Sequence, residues 1–312
     1  MKQVILDHDG SIDDFLSILL LLTMKDVELR AISITPADCY IENALETTLK
    51  LLKKSGKEDI SVGIGGFHGI NAFPSEWRAR PKIINSLPSL INVEVSHLMQ
   101  EVNHSVELIH QKVMENAGNV TFVLTGPCSN LVMALERFPE IGKKIDEIVW
   151  MAGAFEVPGN VVTYNHSGHA EWNVFWDPIS AKKLIDHNIP ITFVPLDVTN
   201  EVPVSHSFLK RLATYRDNFW VDLAAQLWAM TVDIIPSYEY IYFMWDVLAT
   251  SYVSIPGAFA TEDNRIDIHT KGPKAGKTFL CDDGVPVKIA RNVDKEVFYG
   301  YVIESFTSLK VG

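Results

Sequence analysis

Short apolar runs alternate with helical patterns along the first two thirds of the chain, and this alternation constrains the fold more than any other feature. Such an order is typical of a mostly parallel sheet whose two faces are covered by helices. We therefore predict an α/β fold with an open, mostly parallel central sheet flanked by helices on both faces. The predicted strands are 4–6, 31–35, 120–124, 147–151 and 191–196, and the predicted helices are 15–24, 41–54, 130–138, 178–186 and 294–310.

Length and composition favour one domain. The sequence has 312 residues, of which 47% are hydrophobic and 21% are charged, as in ordinary globular proteins. It contains no internal repeat, no low-complexity segment and no linker that would divide it, so we predict a single domain over 1–312. The stretches 65–92 and 152–169 are predicted to be long loops, and loops of this length usually carry function.

The charge balance and the cysteine content limit the partners and the compartment. Lys and Arg number 27 against 39 Asp and Glu, and the net charge of −12 disfavours binding to nucleic acid. The longest apolar run, 15–24, is far shorter than the roughly 20 residues of a membrane span, so we expect no membrane partner. Three scattered cysteines make no disulfide framework, and the first residues lack a signal-peptide pattern. We therefore expect a cytoplasmic protein.

Four aspartates follow the first predicted strand: Asp7, Asp9, Asp13 and Asp14. Asp7 and Asp9 are two positions apart, so an extended backbone points both to one side, and Gly10 allows the chain to turn back. Carboxylates this close repel one another unless a cation compensates, and oxygen-rich clusters suit Ca²⁺ or Mg²⁺. The simpler interpretation is that these acids cap the next helix, but a cap needs only one or two acids.

Two enzyme families place an Asp-x-Asp pair at the end of a strand. In phosphatases that resemble haloacid dehalogenases the first aspartate is the nucleophile, and residues 4–11 fit that pattern with Asp7 in this role. Thr125, which follows another apolar run, would serve as the second phosphatase motif. Nucleoside hydrolases carry two further acids after the turn. Asp13 and Asp14 supply them, and the phosphatases do not require them.

Four later segments resemble the nucleoside hydrolase family, in the family's order. They are a Thr-Gly-Pro-x-Ser-Asn turn, a central strand with its loop, a sugar-binding segment and a final metal-ligand motif. A chance match to all four is improbable, and the chain is identified as a member of this family by its sequence. The segments are 122–130, 149–161, 170–178 and 245–249.

Within the family, the resemblance is closest to the purine-specific branch, which prefers inosine, adenosine and guanosine. His8 and Gly10 stand where the wider family usually has Thr and Pro, and residues 37–43 and 73–78 also resemble that branch. Trp245 is the most telling position, because the inosine-uridine branch usually carries a His there as its leaving-group acid.

The resemblance implies an activity and a cofactor. The activity is hydrolysis of the N-glycosidic bond of a purine ribonucleoside, which gives ribose and the free base. The cofactor is Ca²⁺, which would activate the attacking water while Asp9 acts both as ligand and as general base. The further implied ligands are Asp14, Asp246, the backbone carbonyl of Thr125 and, in support, Asp7.

The resemblance also implies residues that contact the sugar. Ribose hydroxyls need both donors and acceptors, which acidic and amide side chains supply. Ser11 is a departure, because the purine-specific branch usually has Asn there and the wider family Gly; its hydroxyl still donates one hydrogen bond. The implied ribose contacts are Asp13, Ser11, Asn160, Glu171 and Asn173.

The implied base pocket is aromatic. Trp77 and Trp245 would sandwich a purine and stabilise its protonated ring, which also gives Trp245 a catalytic role. Asp38 is expected to face the base, and Tyr242 is expected on a flap over the site. The resemblance further implies a homodimer. Two other functions stay open: a Mg²⁺-dependent phosphatase with Asp7 as nucleophile, and a catalytically inactive nucleoside-binding protein.

Overall fold

The described residues form a ten-stranded central sheet with the order β4-β3-β2-β1-β5-β6-β7-β10-β8-β9. The computed structural model describes residues 1–75, 78–232 and 241–312. All neighbouring strands from β4 to β10 are parallel, whereas β8 runs antiparallel to β10 and β9, which confirms the predicted mostly parallel sheet. The strands are β1 (Lys2–His8), β2 (Val27–Ile34), β3 (Ser61–Ile64), β4 (Asn103–His104), β5 (Val120–Leu124), β6 (Ile145–Trp150), β7 (Ile191–Phe193), β8 (Phe259–Ile268), β9 (Thr278–Leu280) and β10 (Val285–Val293).

Helices cover both faces of the sheet, as predicted. Alternate side chains of β1 enter different cores: Val4 and Leu6 pack in one hydrophobic core, and Ile5 packs in the other. None of the described helices is both long and apolar enough to cross a membrane. The helices are α1 (Ile12–Thr23), α2 (Ile41–Lys54), α3 (Pro81–Asn85), α4 (Ser105–Glu115), α5 (Ser129–Arg137), α6 (Trp172–Trp176), α7 (Pro178–Asp186), α8 (Leu196–Thr199), α9 (His206–Ala213), α10 (Phe219–Ala229), α11 (Trp245–Ser251) and α12 (Lys295–Ser308).

Most predicted elements are present, with shifted ends. Helices α2 and α7 and strand β5 have the predicted bounds. The strand predicted over 191–196 is wrong beyond Phe193, because the chain turns at Pro195 and forms the short helix α8. The predicted loop 65–92 contains α3, which begins with Pro81 in its first turn. The loop 152–169, all of which the structure describes, has no helix or strand.

The sequence analysis did not predict the strands at the antiparallel end of the sheet, β8, β9 and β10. Strand β8 has a mostly exposed middle with the sequence Thr-Glu-Asp-Asn-Arg, so it shows no continuous apolar run. Its stability comes from pairing with β10 over most of its length, which is a contact between distant parts of the chain. The C-terminal helix α12 is confirmed, and Asp294 caps it by accepting a hydrogen bond from Val297 N.

Candidate active site

The carboxyl ends of β1, β2 and β5 meet at one edge of the sheet, where ligands bind in parallel α/β folds. The strands are direct neighbours, and two backbone hydrogen bonds continue beyond their ends. Thr125 N donates to Asp7 O at 2.9 Å, and Thr35 N donates to His8 O at 2.8 Å. The residues that follow these strands therefore surround a common site.

Asp7 lies at the base of this site and is fully buried. Its Oδ1 accepts hydrogen bonds from Thr35 Oγ1 at 2.9 Å and Asn130 Nδ2 at 3.4 Å. Burial nevertheless raises the pKa of Asp7 to about 7. Its Oδ2 is buried and, among the described residues, has no hydrogen-bond partner.

The turn after β1 is closed by a reciprocal cap. Gly10 has a φ of +84°, and a Cβ on it would lie 2.5 Å from the Cβ of Cys39, so only glycine fits this turn. Ser11 N donates to Asp14 Oδ2 at 2.7 Å, and Asp14 N donates to Ser11 Oγ at 3.4 Å. Asp14 Oδ1 is buried without a partner among the described residues.

Asp13 joins the first turn of α1 to the start of α11. Its Oδ2 accepts hydrogen bonds from Asp246 N at 2.7 Å and Val247 N at 2.9 Å, and its Oδ1 accepts one from Trp228 Nε1 at 3.1 Å. Asp13 is fully buried, and burial raises its pKa to about 7. It therefore brings Asp246 to the acidic turn, and its direct contact with ribose stays a prediction.

Asp9 and Asp38 form the side of the site towards β2. Asp38 N donates to Asp9 Oδ2 at 3.3 Å, and Asp38 Oδ1 accepts a hydrogen bond from Ala79 N at 3.0 Å. Burial, followed by the charges of Asp14 and Asp38, raises the pKa of Asp9 well above its usual range. Burial also raises the pKa of Asp38 to about 7, although the Arg78 guanidinium opposes this shift.

The acidic side chains suit a hard cation by their chemistry. Burial and the charge of Asp14 raise the pKa of Asp246 as well, so adding negative charge to this site is unfavourable. The two unpartnered carboxylate oxygens, on Asp7 and Asp14, are ligands that Ca²⁺ or Mg²⁺ would accept. Within 1–75, 78–232 and 241–312, no group of three or more His, Cys, Asp or Glu is already arranged as a metal site.

The segment that the resemblance implies as sugar-binding lies next to Thr125, which Asn173 contacts. Glu171 is buried, and its carboxylate accepts hydrogen bonds from the backbone N–H groups of Gly153 and Asn173 at 3.1 and 2.7 Å. Burial raises the pKa of Glu171 to about 7. Asn160 is partly buried, and its Oδ1 accepts a hydrogen bond from Trp172 N at 3.0 Å.

Asn173 makes contacts that the sequence did not predict. Its Nδ2 donates to the carbonyl oxygens of Thr125 at 3.1 Å and Met151 at 2.9 Å. One of these acceptors is the carbonyl that the resemblance implies as a metal ligand. The amide nitrogen of Asn173 thus holds the backbone at Thr125 and Met151. The contact of Asn173 with ribose stays a prediction.

Two of the implied base-pocket residues contact each other. Trp245 is the first residue of α11, next to Asp246, and the ring of Tyr242 meets it edge-on at 4.7 Å and 71°. Hydrogen bonds from Val204 N to Tyr242 O and from Met244 N to Val202 O connect the backbone around Tyr242 to the segment before α9, and its place on a flap stays a prediction. Trp77 lies outside the described residues.

The sequence analysis missed several residues that support the site. Trp228 and Thr35 hold the carboxylates of Asp13 and Asp7, and Asn200 accepts a hydrogen bond from Trp245 Nε1 at 3.1 Å. Thr35 was detectable as a polar residue at the end of a predicted strand. Trp228 and Asn200 carry no such local signal.

Comparison with known proteins decides the family. A family model described as inosine-uridine preferring nucleoside hydrolase matches residues 4–300. The chain belongs to this nucleoside hydrolase family. A solved inosine-uridine preferring nucleoside hydrolase from Bacillus anthracis is 33% identical, with a TM-score of 0.89, and the alignment covers 99% of this chain and 100% of that one.

Two more distant nucleoside hydrolases carry names that point to different bases. A purine-preferring ribonucleoside hydrolase from Gardnerella vaginalis has the same fold, with 23% identity, a TM-score of 0.80 and 99% of each chain covered. The pyrimidine-specific ribonucleoside hydrolase RihB of Shigella flexneri is 23% identical in an alignment of 321 positions that covers 97% of this chain and 96% of that protein. These relatives do not establish the purine-specific branch.

Family membership also makes the phosphatase alternative wrong. That alternative requires Asp7 to attack a substrate, but Asp7 has no exposed surface and its Oδ1 is held by Thr35 and Asn130. A buried, hydrogen-bonded carboxylate behind the turn supports the site but does not reach a phosphate ester.

Proposed function

We propose that this nucleoside hydrolase cleaves purine ribonucleosides to ribose and the free base. The observation that carries the proposal is the joining of the acidic turn to the Trp245-Asp246 pair. Asp13 holds the backbone of Asp246, and Ser11 Oγ donates to Asp246 Oδ2 at 3.2 Å. The turn that would activate water and the indole that would contact the base are thereby held side by side.

The carboxylates of this site would hold Ca²⁺. The proposed ligands are Asp9, Asp14, Asp246 and the carbonyl of Thr125, with Asp7 in support. A cation bound there lowers the pKa of a coordinated water and orients it.

Asp9 is the proposed general base. It accepts one proton from the attacking water, while the water oxygen bonds to C1′ of the ribose and the bond from C1′ to the base nitrogen breaks. Burial raises the pKa of this carboxylate in the metal-free protein, and a bound Ca²⁺ would oppose that shift and favour the ionised form that accepts a proton. The backbone N–H of Asp38 donates a hydrogen bond to the Asp9 carboxylate.

The proposed ribose contacts are polar groups on rigid supports. Glu171 is held by backbone N–H groups at the start of α6, and Asn160 is held by Trp172 N. Contacts of this kind accelerate the reaction where they strengthen in the transition state. The remaining proposed contacts are Asp13, Ser11 and Asn173.

Base preference is proposed to follow from the aromatic wall. Trp245, with Tyr242 and the implied partner Trp77, offers ring faces to a flat purine, and Asp38 is proposed to face the base. An indole does not supply a proton, so the leaving base must take one from solvent. A purine accepts it at N7, and indole faces stabilise the resulting cation. The alternative, favoured by the family's description, is a hydrolase that acts on both inosine and uridine.

The compartment and the assembly belong to the same proposal. Among the described residues the three cysteines are free thiols, and two of them are buried, which supports a reducing, cytoplasmic environment. A homodimer is proposed from the family resemblance alone.

A nucleoside panel tests the function directly. Inosine, adenosine, guanosine, uridine and cytidine are compared with and without exhaustive chelation, and elemental analysis verifies the loss of metal. We expect rapid hydrolysis of the three purine ribonucleosides, slow hydrolysis of the pyrimidines, and loss of activity with the metal. Uridine turnover as fast as inosine turnover would reject the purine preference. Binding of inosine without turnover of any nucleoside would leave only a binding protein.

A further inference from the structure

The indole nitrogen of Trp245 is held by a residue from another part of the chain. Trp245 Nε1 donates to Asn200 Oδ1 at 3.1 Å, and Asn200 directly follows α8. The ring of Tyr242 meets the same indole edge-on at 4.7 Å. A partly buried indole at the edge of a site can rotate about its side-chain bonds unless such contacts stop it.

Asn200 itself stands on a fixed support. The Asp197 carboxylate on α8 accepts hydrogen bonds from Phe155 N at 2.9 Å and Glu156 N at 2.7 Å. Leu196 N donates to Gly153 O at 2.9 Å. These bonds attach α8 to the loop that leads to Asn160. The short helix α8 therefore connects the loop of Asn160, a proposed sugar contact, with Asn200 and the indole of Trp245.

We infer that Asn200 is a positioning residue that sets the orientation of the Trp245 indole, and thereby the efficiency with which a purine departs. The inference rests on the proposed function of Trp245. Because Nε1–H is already bonded to Asn200, that donor is not free to bind a base, and a base would contact the indole through its ring. Asn200 is exposed and is not part of either core, so its replacement leaves the folded protein intact.

Asn200→Ala removes the acceptor, whereas Asn200→Asp keeps an oxygen at the same position. For Asn200→Ala we expect kcat/KM for inosine to fall about three- to tenfold, the equivalent of one hydrogen bond. Hydrolysis of p-nitrophenyl riboside should fall less than about twofold, because its leaving group departs without protonation. Asn200→Asp should restore most of the inosine activity. Glu201→Ala is the matched control, because Glu201 is the exposed neighbour of Asn200 and pairs with Lys295. It should leave the hydrolysis of both substrates unchanged.

A double-mutant cycle with Trp245→Phe isolates the contact, because a phenyl ring has no N–H to donate. In that background Asn200→Ala should have no further effect on inosine. A further threefold loss there, or equal losses on both substrates in the wild-type background, would overturn the inference. Trp245→Ala measured in parallel separates the two proposals. If Trp245→Ala slows hydrolysis of inosine more than that of p-nitrophenyl riboside while Asn200→Ala does not, only the inference about Asn200 fails. If Trp245→Ala slows both substrates equally, the proposed role of Trp245 fails first.

Discussion

The hydroxyl of Ser11 donates a hydrogen bond to Asp246 Oδ2 at 3.2 Å, across 235 positions of sequence. Ser11 Oγ also accepts a hydrogen bond from Asp14 N at 3.4 Å. A hydroxyl can donate and accept at once, so this one side chain connects two of the proposed cation ligands. Ser11 thus has a positioning role in addition to the ribose contact that the sequence suggested.

We predict that Ser11→Ala weakens Ca²⁺ binding. The change removes the anchor of Asp246 and the cap of α1, and loss of such a cap costs about 0.5–2 kcal/mol of stability. Calorimetric titration of the metal-free protein with Ca²⁺ measures the affinity, and thermal unfolding measures the stability. Ser205→Ala is the matched control, because Ser205 caps α9 through Phe208 N. It should lower the melting temperature and leave the Ca²⁺ affinity unchanged. Equal Ca²⁺ affinities of Ser11→Ala and the wild type would contradict the positioning role.

We predict that Asp13→Ala destabilises the protein even without metal or substrate. The change leaves the N–H groups of Trp228, Asp246 and Val247 without their acceptor, and Trp228 is fully buried. An unsatisfied buried donor costs about 1–3 kcal/mol, so we expect the free energy of unfolding to fall by about 3 kcal/mol. Urea denaturation in the presence of a chelator measures it. Asp217→Ala, an exposed aspartate, is the control, and a loss for Asp13→Ala as small as the control's would refute the prediction.

We predict that stabilisation by Ca²⁺ increases with pH. The pKa values of Asp7, Asp13 and Asp38 are raised from 3.8 to about 7, because burial favours the protonated carboxyl. Their contribution to stability is fully present below about pH 4 and is lost as the pH rises through 7. A bound cation compensates the charge that then develops. The melting temperature should therefore rise more on adding Ca²⁺ at pH 8 than at pH 5.5. An equal or larger rise at pH 5.5 would contradict this interpretation.

We predict that Asp9→Asn lowers turnover of inosine far more than it changes KM. The amide cannot accept the proton from water, and loss of a general base typically costs 10²–10⁴-fold in rate. The proposed sugar contacts, Glu171 and Asn160, are untouched by the change. Steady-state kinetics with saturating Ca²⁺ checks the outcome, and Asp217→Asn serves as the control. If turnover stays within about fivefold of the wild type, another group takes the proton.

Sequence reasoning found the acidic turn because its signal is local. An apolar run followed by Asp7, Asp9 and the glycine turn identifies a strand end, and strand ends of a parallel sheet meet at one edge. The support of these residues was not predictable in the same way. Trp228 reaches Asp13 across 215 positions, and Asn200 reaches Trp245 across 45. Such contacts depend on how helices pack, and neither partner carries a periodic pattern or a motif that indicates the other.

The antiparallel strands were missed for a related reason. Strand β8 alternates irregularly between exposed and buried residues, and its pairing with β10 decides its conformation. Strand propensity at a sheet edge depends strongly on such neighbours. The short helix α8 was missed because its apolar residues Leu196 and Val198 continue the pattern of β7.

The last prediction concerns the departure of the base. We predict that Trp245→Ala slows hydrolysis of inosine strongly and hydrolysis of p-nitrophenyl riboside much less. The hypoxanthine of inosine must take a proton at N7 as it leaves, and an indole face stabilises the protonated purine, with cation–π energies that reach about 2 kcal/mol when desolvated. This corresponds to about a thirtyfold loss in kcat for inosine. Nitrophenolate departs without a proton and gains nothing from that cation effect.

Tyr242→Leu provides the comparison for packing, because the Tyr242 ring packs against the indole of Trp245 with 4.7 Å between the ring centroids. If Trp245 only fills space, Trp245→Ala should lower kcat for both substrates by the same factor. If it stabilises the leaving purine, the ratio of inosine to p-nitrophenyl riboside activity should fall in Trp245→Ala and less in Tyr242→Leu. The pH dependence adds a second measure. Inosine turnover by Trp245→Ala, expressed relative to the wild type at the same pH, should recover in part at lower pH, because solvent protonates the purine more readily there.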